Sequence, residues 1–365
     1  MRFIVRLTCF TLGVCLLLLS ALLGMLRRAE AQSQFITFTL DRALYTVRTD
    51  GTGLREIMGY GVRPQWLNEG EWLAFVTENP ADEAWDIYRV HPNGNEFQHI
   101  SAQTRYQQSY YQEDWFSWSP DGNWLVFANQ GDIYRVPITS DQWKNLTQDT
   151  TSNKYPAVSP DSQQIAFISG GNIHVMNLDG TERYPLTENA FFATPLFWSP
   201  DQKWLLTTQY ENTTNLIRVE VATGIIQPIT EGIPVIPEMI AWSPDSQAVA
   251  FGAFPLATEL YVLHLDQHSE LLRLTQPGIG PRYSVNWSPD GAWLTYPSRR
   301  SGGFDLYKMR PDGTERQPIL EQSIGYHINT PLWSPPLDLP FRPTVLLIAG
   351  LISLVIGLVI PAKIR

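Results

Sequence analysis

A short phrase that recurs along the chain constrains the fold more than any other feature. It reads W-S-P-D, once V-S-P-D, followed by Gly, Ser or Gln, and it stands at residues 118–122, 158–162, 198–202, 242–246 and 287–291. A degenerate copy, W-L-N-E-G, occupies residues 66–70, and a truncated copy, W-S-P-P, occupies residues 333–336. A period of about 40–50 residues is the signature of a repeat architecture. It favours a binding protein over a catalyst.

Each repeat contains short apolar runs separated by turn residues. In the best-defined repeat, runs rich in β-branched and aromatic residues follow at 123–127, 132–136 and 143–147, and such runs predict strands. Pro120 pre-sets φ for a turn and Gly122 accepts positive φ. The pattern predicts four antiparallel strands per repeat, as in one blade of a β-propeller. The repeat tryptophans are predicted to pack between blades; they are Trp66, Trp72, Trp118, Trp124, Trp198, Trp204, Trp242, Trp287, Trp293 and Trp333.

The two ends of the repeat region predict how the ring closes. Complete units run over 66–100, 118–147, 158–187, 198–230, 242–275 and 287–320. Runs at 35–38, 44–48 and 54–57 supply strands two to four of a blade without a first strand, and residues 330–333 supply a lone first strand. Joining these fragments pairs strand edges that are otherwise open. The prediction is an all-β, seven-bladed propeller over residues 35–334, with six blades as the alternative.

The repeats resemble the TolB-like β-propeller repeat family. The resemblance rests on the W-S-P-D-G turns, on the [DN]-[IL]-Y third strands at 86–88, 132–134 and 305–307, and on the L-T pairs at 146–147, 186–187 and 274–275. It spans about residues 35–334 and implies the propeller fold. Such repeats occur in the periplasmic TolB protein of bacterial envelopes, in prolyl-oligopeptidase-type propellers and in other exported proteins. The sequence departs from TolB itself in showing no separate amino-terminal α/β domain.

Both ends of the chain are apolar and predict membrane segments. Residues 7–26 carry no charge, and Ala29 and Ala31 follow in an A-x-A-like arrangement, so residues 1–31 are expected to be a cleaved signal peptide or a retained anchor. Residues 344–362 are predicted to form a transmembrane helix, with Lys363 and Arg365 behind it. The propeller is therefore expected at the cell membrane, facing outside the cytoplasm. The only two cysteines, Cys9 and Cys15, lie outside the repeats, so no disulfide is expected there.

Composition and loop chemistry indicate the kind of partner. The formal charge of −10 argues against a nucleic-acid surface. Strand order predicts an upper face formed by the connections between blades and between strands two and three. Aromatic residues in the blade-to-blade connections are the candidate contacts for a protein or peptide partner of the cell envelope; the alternative is that they pack under neighbouring loops. These residues are Tyr60, Tyr106, Tyr110, Tyr111, Trp115, Tyr155, Phe191, Phe192, Tyr283 and Tyr326.

Acidic residues on the same face raise the alternative of a Ca²⁺ site. A cluster could offer oxygen ligands to Ca²⁺, although it lacks EF-hand spacing and a solvated face explains it equally; it comprises Glu78, Asp82, Glu83, Asp86, Glu113 and Asp114. No metal or cofactor is predicted. The Asp or Asn before each third strand is expected to bond its own loop backbone.

No common hydrolase or nucleotide motif occurs in the sequence. Two hypotheses remain. The first is a membrane-tethered, non-catalytic binding scaffold that uses its aromatic upper face. The alternative is an extracytoplasmic lyase or glycan hydrolase that uses Glu113, Asp114, Glu238 and His327 at the channel mouth.

Overall fold

The chain forms a ring of β-sheets, seen in a computed structural model. The structure describes residues 35–67, 70–79, 84–91, 94, 96–104, 116–139, 142–188, 192, 194–210, 213–254, 259–265, 270–276, 284–298, 305–321 and 328–335. The predicted signal or anchor segment and the predicted transmembrane helix lie outside these residues. Within them, no helix has the length and apolar character needed to cross a bilayer.

Seven four-stranded antiparallel sheets make up the ring, so the seven-bladed prediction is confirmed and the six-bladed alternative is wrong. The closing blade draws on both ends of the ring: β1 (Phe35–Leu40), β2 (Ala43–Arg48), β3 (Arg55–Met58) and, from the far end, β28 (Ile328–Trp333). Blade 1 contains β4 (Val62–Leu67), β5 (Trp72–Asn79), β6 (Ala84–Val90) and β7 (Gln98–Thr104). Blade 2 contains β8 (Phe116–Trp118), β9 (Trp124–Asn129), β10 (Asp132–Pro137) and β11 (Lys144–Asn145).

The remaining four blades repeat the same order of strands. Blade 3 contains β12 (Asn153–Val158), β13 (Gln164–Ser169), β14 (Asn172–Asn177) and β15 (Tyr184–Pro185). Blade 4 contains β16 (Phe197–Trp198), β17 (Trp204–Tyr210), β18 (Thr214–Glu220) and β19 (Ile226–Pro228). Blade 5 contains β20 (Val235–Trp242), β21 (Ala248–Ala253), β22 (Glu259–His264) and β23 (Leu271–Arg273). Blade 6 contains β24 (Asn286–Trp287), β25 (Leu294–Ser298), β26 (Asp305–Met309) and β27 (Gln317–Leu320).

The S-P-D turns between first and second strands are held by their own side chains. In blade 2, Ser119 Oγ donates to Asp121 Oδ1 at 2.5 Å, and Asp121 Oδ1 also accepts the backbone N–H of Asn123 at 3.1 Å. Ser119 Oγ accepts the N–H of Trp124 at 2.9 Å. The Ser-to-Asp bond recurs in four more blades, at Ser159–Asp161, Ser199–Asp201, Ser243–Asp245 and Ser288–Asp290. The recurring phrase therefore encodes a self-contained turn.

The closing blade lacks this turn because the two ends of the ring meet there. Strand β28 pairs with β1, with Ile36 opposite Trp333. The N–H of Ser334 donates to the carbonyl of Phe35 at 2.8 Å, as Ser119 N–H does to the carbonyl of Trp124 in blade 2. The N–H of Phe35 donates to Ser334 Oγ at 2.9 Å. The two ends of the ring thus reproduce two of the hydrogen bonds of an S-P-D turn, although Ser334 and Phe35 are far apart in the sequence.

Tryptophans of the recurring phrase tie neighbouring blades together, as predicted. Trp198 Nε1 donates to the carbonyl of Ala157 in the preceding blade at 2.9 Å. Equivalent bonds run from Trp242 to Phe197, from Trp287 to Ala241 and from Trp333 to Thr295 Oγ1. Trp66 and Trp118 are also buried, but no acceptor for their Nε1 lies among the described residues. Each indole fills the gap between two blades and fixes their spacing.

An aromatic pair, whose second-strand ring is fully buried, packs at the centre of most blades. One ring comes from the second strand and one from the third, their centroids 5.6–6.1 Å apart, with nearly parallel planes. These pairs are Phe38–Tyr45, Phe75–Tyr88, Phe127–Tyr134, Phe251–Tyr261 and Tyr296–Tyr307. Each pair sits directly opposite in the strand register, where cross-strand side chains interact most strongly. Blade 3 replaces the tyrosine with His174.

Candidate binding face

The ring has two different faces, set by strand order. We call the end that carries the S-P-D turns and the hairpins between third and fourth strands the turn face. The opposite end, which carries the connections between second and third strands and from blade to blade, is the loop face. The loop face corresponds to the predicted upper face, and loops on a rigid scaffold are where binding concentrates.

The threonine of each L-T pair fixes the start of a third strand at the loop face. In blade 2, Thr147 Oγ1 accepts the N–H of Ile133 at 3.0 Å. The same bond recurs from Ile173 to Thr187, from Leu216 to Thr230 and from Leu260 to Thr275. The L-T pairs that carried the family resemblance are therefore structural caps.

The acidic residue before the third strand bonds across the blade in blade 2. Asp132 Oδ1 accepts from Thr147 Oγ1 at 2.7 Å, and Asp132 Oδ2 accepts from Asn145 Nδ2 at 2.8 Å. Its partners are one side chain of the fourth strand and one just beyond it, so the predicted bond to its own loop backbone is wrong at this position. The sequence prediction failed because the partner lies thirteen to fifteen residues away, beyond the reach of local turn chemistry.

Blade 5 encloses its carboxylate more completely. Glu259 is 1% exposed, and it accepts from Tyr261 Oη at 2.6 Å and from Arg273 Nη2 at 2.8 Å. Burial, reinforced by the hydrogen bond to Glu259, raises the pKa of Tyr261 to about 12. In blade 1, His99 Nε2 lies 3.4 Å from Asp86 Oδ1. Carboxylates at the loop-face ends of these blades are thus engaged in bonds that hold the blades.

Three of the predicted partner-binding aromatics are described, and they differ in exposure. Tyr60 is half-buried, with the guanidinium carbon of Arg42 5.8 Å from its ring centroid. Tyr155 is also half-buried and packs beside Ala157 in a core cluster, with φ of 54° at an irregularity in β12. Phe192 is 2% exposed in the same cluster. Tyr155 and Phe192 therefore pack into a core cluster formed by residues of blades 3 and 4.

The other candidates lie outside the described residues. They are Tyr106, Tyr110, Tyr111, Trp115, Phe191, Tyr283 and Tyr326, together with Glu113, Asp114 and His327 of the enzyme alternative and Asp82 and Glu83 of the acidic cluster. Glu238 belongs to β20 and Glu78 to β5, but their side chains are not described. In the part of the chain that is described, no three His, Cys, Asp or Glu side chains gather where they could hold a metal ion.

Two exposed aromatics on the loop face were missed by the sequence analysis. Tyr210 is 78% exposed and Phe254 is 52% exposed. They occupy the same repeat position, at the loop-face end of the second strand, in neighbouring blades 4 and 5. Blades 2 and 3 have Gln130 and Gly170 at this position. The available signal was an aromatic residue where other repeats have a small or polar one; the search had followed the blade-to-blade connections instead.

Known proteins match parts of this chain. No protein-family model matches the sequence. The uncharacterized protein Atu1656 of Agrobacterium fabrum is 24% identical over 211 residues, 57% of this chain and 58% of that protein. Dipeptidyl-peptidase 5 of Porphyromonas gingivalis is 30% identical over 147 residues, 32% of this chain and 21% of that protein. The chain therefore spans less than two thirds of either relative.

Solved structures resemble the whole ring. TolB from Acinetobacter baumannii superposes with a TM-score of 0.51 and 16% identity, covering 83% of each chain. A prolyl endopeptidase gives 0.60 and 10% identity over 82% of this chain and 49% of the other. An oligogalacturonate lyase in complex with manganese gives 0.56 and 12% identity over 78% and 85%. At these identities the likeness is one of fold.

Fold and repeat together define the class of protein: an all-β, seven-bladed propeller built from W-S-P-D repeats. The resemblance to TolB-like propellers inferred from the sequence is confirmed at the level of fold.

Proposed function

We propose that the protein is a membrane-tethered β-propeller outside the cytoplasm, which binds a protein or peptide of the cell envelope on its loop face and catalyses no reaction. The observation that carries this proposal is the pair of exposed aromatics, Tyr210 and Phe254, at one repeat position of neighbouring blades. Large exposed aromatic side chains are typical anchors of protein interfaces.

Two carboxylates at the loop face hold side chains of their own blades, which fits a binding scaffold. Glu259 is bonded to Tyr261 and Arg273, and Asp132 is bonded to Asn145 and Thr147. Carboxylates held by strand side chains stabilise blades, and they leave contact with a partner to the loops and exposed rings. The envelope setting follows from the repeat resemblance and the apolar chain ends, and the charge of −10 favours a protein partner over nucleic acid.

Site-specific photocrosslinking in the native membrane tests the proposal. A photoreactive aromatic residue replaces Tyr210 or Phe254 on the loop face, and Ile225 in the control. Ile225 is 54% exposed and lies in the hairpin before β19 on the turn face. Discrete adducts from positions 210 and 254, and none from 225, are expected. Equal labelling from all three positions contradicts a loop-face site.

Alanine variants then measure what the aromatic rings contribute. Tyr210→Ala with Phe254→Ala is expected to weaken binding of the identified partner at least tenfold, since interface aromatics often contribute about 2 kcal/mol or more. A second set, Tyr110→Ala, Tyr111→Ala and Trp115→Ala, tests the predicted blade-to-blade connection. Unchanged affinity in both sets contradicts an aromatic site.

The enzyme alternative has its own test. Glu113→Gln and Asp114→Asn keep side-chain size and remove charge. If turnover of a glycan substrate is found and these variants abolish it, the non-catalytic proposal is wrong. A scaffold instead shows a graded change in partner affinity.

A further inference from the structure

The break in the closing blade places both exits from the ring on one face. Ser334 and Phe35 stand where Ser119 and Trp124 stand in an S-P-D turn, joined by the same backbone hydrogen bond. Pro335 lies beside Gly70 in the turn of blade 1, as Pro244 lies beside Gly291 in blade 6. The chain before Phe35 and the chain after Pro335 therefore both connect to the ring at its turn face.

We propose that the propeller stands with its turn face toward the membrane and its loop face outward. This inference rests on the proposed membrane tether. It adds that the tether leaves the loop face accessible to a partner. A partner binding at Tyr210 and Phe254 then approaches from the side away from the lipid.

The length of the link to the predicted transmembrane segment supports this orientation. Residues 336–343 separate the two, and a chain extends at most about 3.5 Å per residue, which gives a reach of roughly 28 Å. Strand β28 is the first strand of its sheet, and the fourth strand is three spacings away, or about 14 Å at about 4.8 Å each. A six-residue strand adds about 20 Å of height. A path over the outer edge of the ring to the loop face, about 34 Å long, therefore exceeds the link.

Charge on the turn face does not oppose this orientation. The hydrogen bond that Ser243 donates, together with other bonds within the turn, holds the pKa of Asp245 below 3.8. The turn tip therefore stays ionised at neutral pH. Aspartates occupy the tips of the S-P-D turns, and Lys203 beside Asp201 offsets one of them. Repulsion from anionic lipid is screened beyond a Debye length of about 8 Å at physiological salt, which is shorter than the link's reach.

Energy transfer to a lipid dye tests the orientation in the full-length chain. Cys9→Ser and Cys15→Ser remove the native thiols, and single cysteines are placed at the two ends of one strand. In blade 4 these are Lys203→Cys at the turn face and Tyr210→Cys at the loop face; in blade 2 they are Asn123→Cys and Gln130→Cys. Each carries a donor fluorophore, and the protein is reconstituted in phosphatidylcholine vesicles with a headgroup-bound acceptor.

The turn-face label is expected to transfer energy more efficiently than the loop-face label in both blades, because about 20 Å of strand separates them. Equal efficiencies, a reversed order, or opposite orders in the two blades overturn the proposed orientation. Flotation of the vesicles is measured first. A protein that does not float contradicts the membrane tether of the proposed function, and a protein that floats with equal efficiencies contradicts the orientation alone.

Discussion

At the scale of single residues, the variable last position of the recurring phrase has a physical explanation. Ser162 and Ser246 have φ of 61° and 63°, a left-handed conformation that favours glycine. Ser162 Oγ accepts the N–H of Asp121, and Ser246 Oγ accepts the N–H of Asp201, each at 3.0 Å and each from the preceding blade. Serine at this position has a strained backbone, and its hydroxyl adds a hydrogen bond between neighbouring blades.

Substitution at Ser162 separates these two effects. Ser162→Ala keeps the strained backbone and loses the hydrogen bond, so we expect unfolding to become easier by about 1 kcal/mol. Ser162→Gly loses the same bond but relieves about 1 kcal/mol of strain, and its stability should stay near that of the wild type. Urea unfolding of both variants checks this. An alanine variant as stable as the wild type contradicts the explanation.

We expect His174 to make the stability of the fold depend on pH. Burial, and next the positive charge of Arg183, lower the pKa of His174 below 6.5. The unfolded chain then binds a proton that the folded chain does not, so this residue contributes a loss of stability as pH falls below about 6.5.

His174→Phe should flatten that dependence, since phenylalanine stacks on Phe167 without titrating. Urea unfolding at pH 7.0 and pH 5.5 is the measurement. The wild type should lose more stability between these values than the variant. An identical loss in both proteins means that other groups cause the effect.

At the scale of strands, one hydroxyl adds a side-chain hydrogen bond between the end of a blade and the start of its third strand. Thr187 is 3% exposed, and its Oγ1 accepts the N–H of Ile173 at 2.9 Å. Thr187→Val keeps the shape and removes the acceptor, so the N–H is left buried at a cost of about 1–3 kcal/mol. Thr187→Ser retains the acceptor and should be the milder change. Thermal unfolding of the two variants is the measurement. Equal losses of stability mean that the methyl group contributes as much as the hydroxyl.

Sequence reasoning predicted strands and turns well because their causes are local. Pro120 and Gly122 specify a turn within a few residues. The blade that begins at Phe35 lacked a first strand, so closing the ring required a strand at the far end of the repeats, where β28 lies. Exposure of aromatic side chains could not be predicted in this way. Phe192 is buried in a cluster shared by blades 3 and 4, whereas Tyr210 is exposed. Such differences depend on contacts between repeats and not on the local sequence.

At the scale of the whole molecule, the position at which the chain enters and leaves the ring can be moved. Joining Ser334 to Phe35 through the sequence of residues 120–123 restores an S-P-D turn, and the ring can be opened between Asp290 and Gly291 instead. Because five blades hold their S-P-D turns with the same Ser-to-Asp hydrogen bond, we expect this permuted ring to fold and to unfold in one transition. Circular dichroism during urea titration checks this.

The matched control opens the ring inside β21, between Phe251 and Gly252. This cut interrupts a fully buried strand, so we expect the control not to fold. A permuted ring that fails at the turn as completely as this control contradicts the equivalence of the turns.

The pairing of β28 with β1 also determines how the ring resists mechanical force. Strand β28 runs toward the turn face and ends there, antiparallel to β1. A pull on the chain beyond Pro335, directed away from that face, acts along the strand axis. The hydrogen bonds to β1 then carry the load together in shear instead of opening one after another, so the junction that lacks a covalent turn is loaded in its strongest direction.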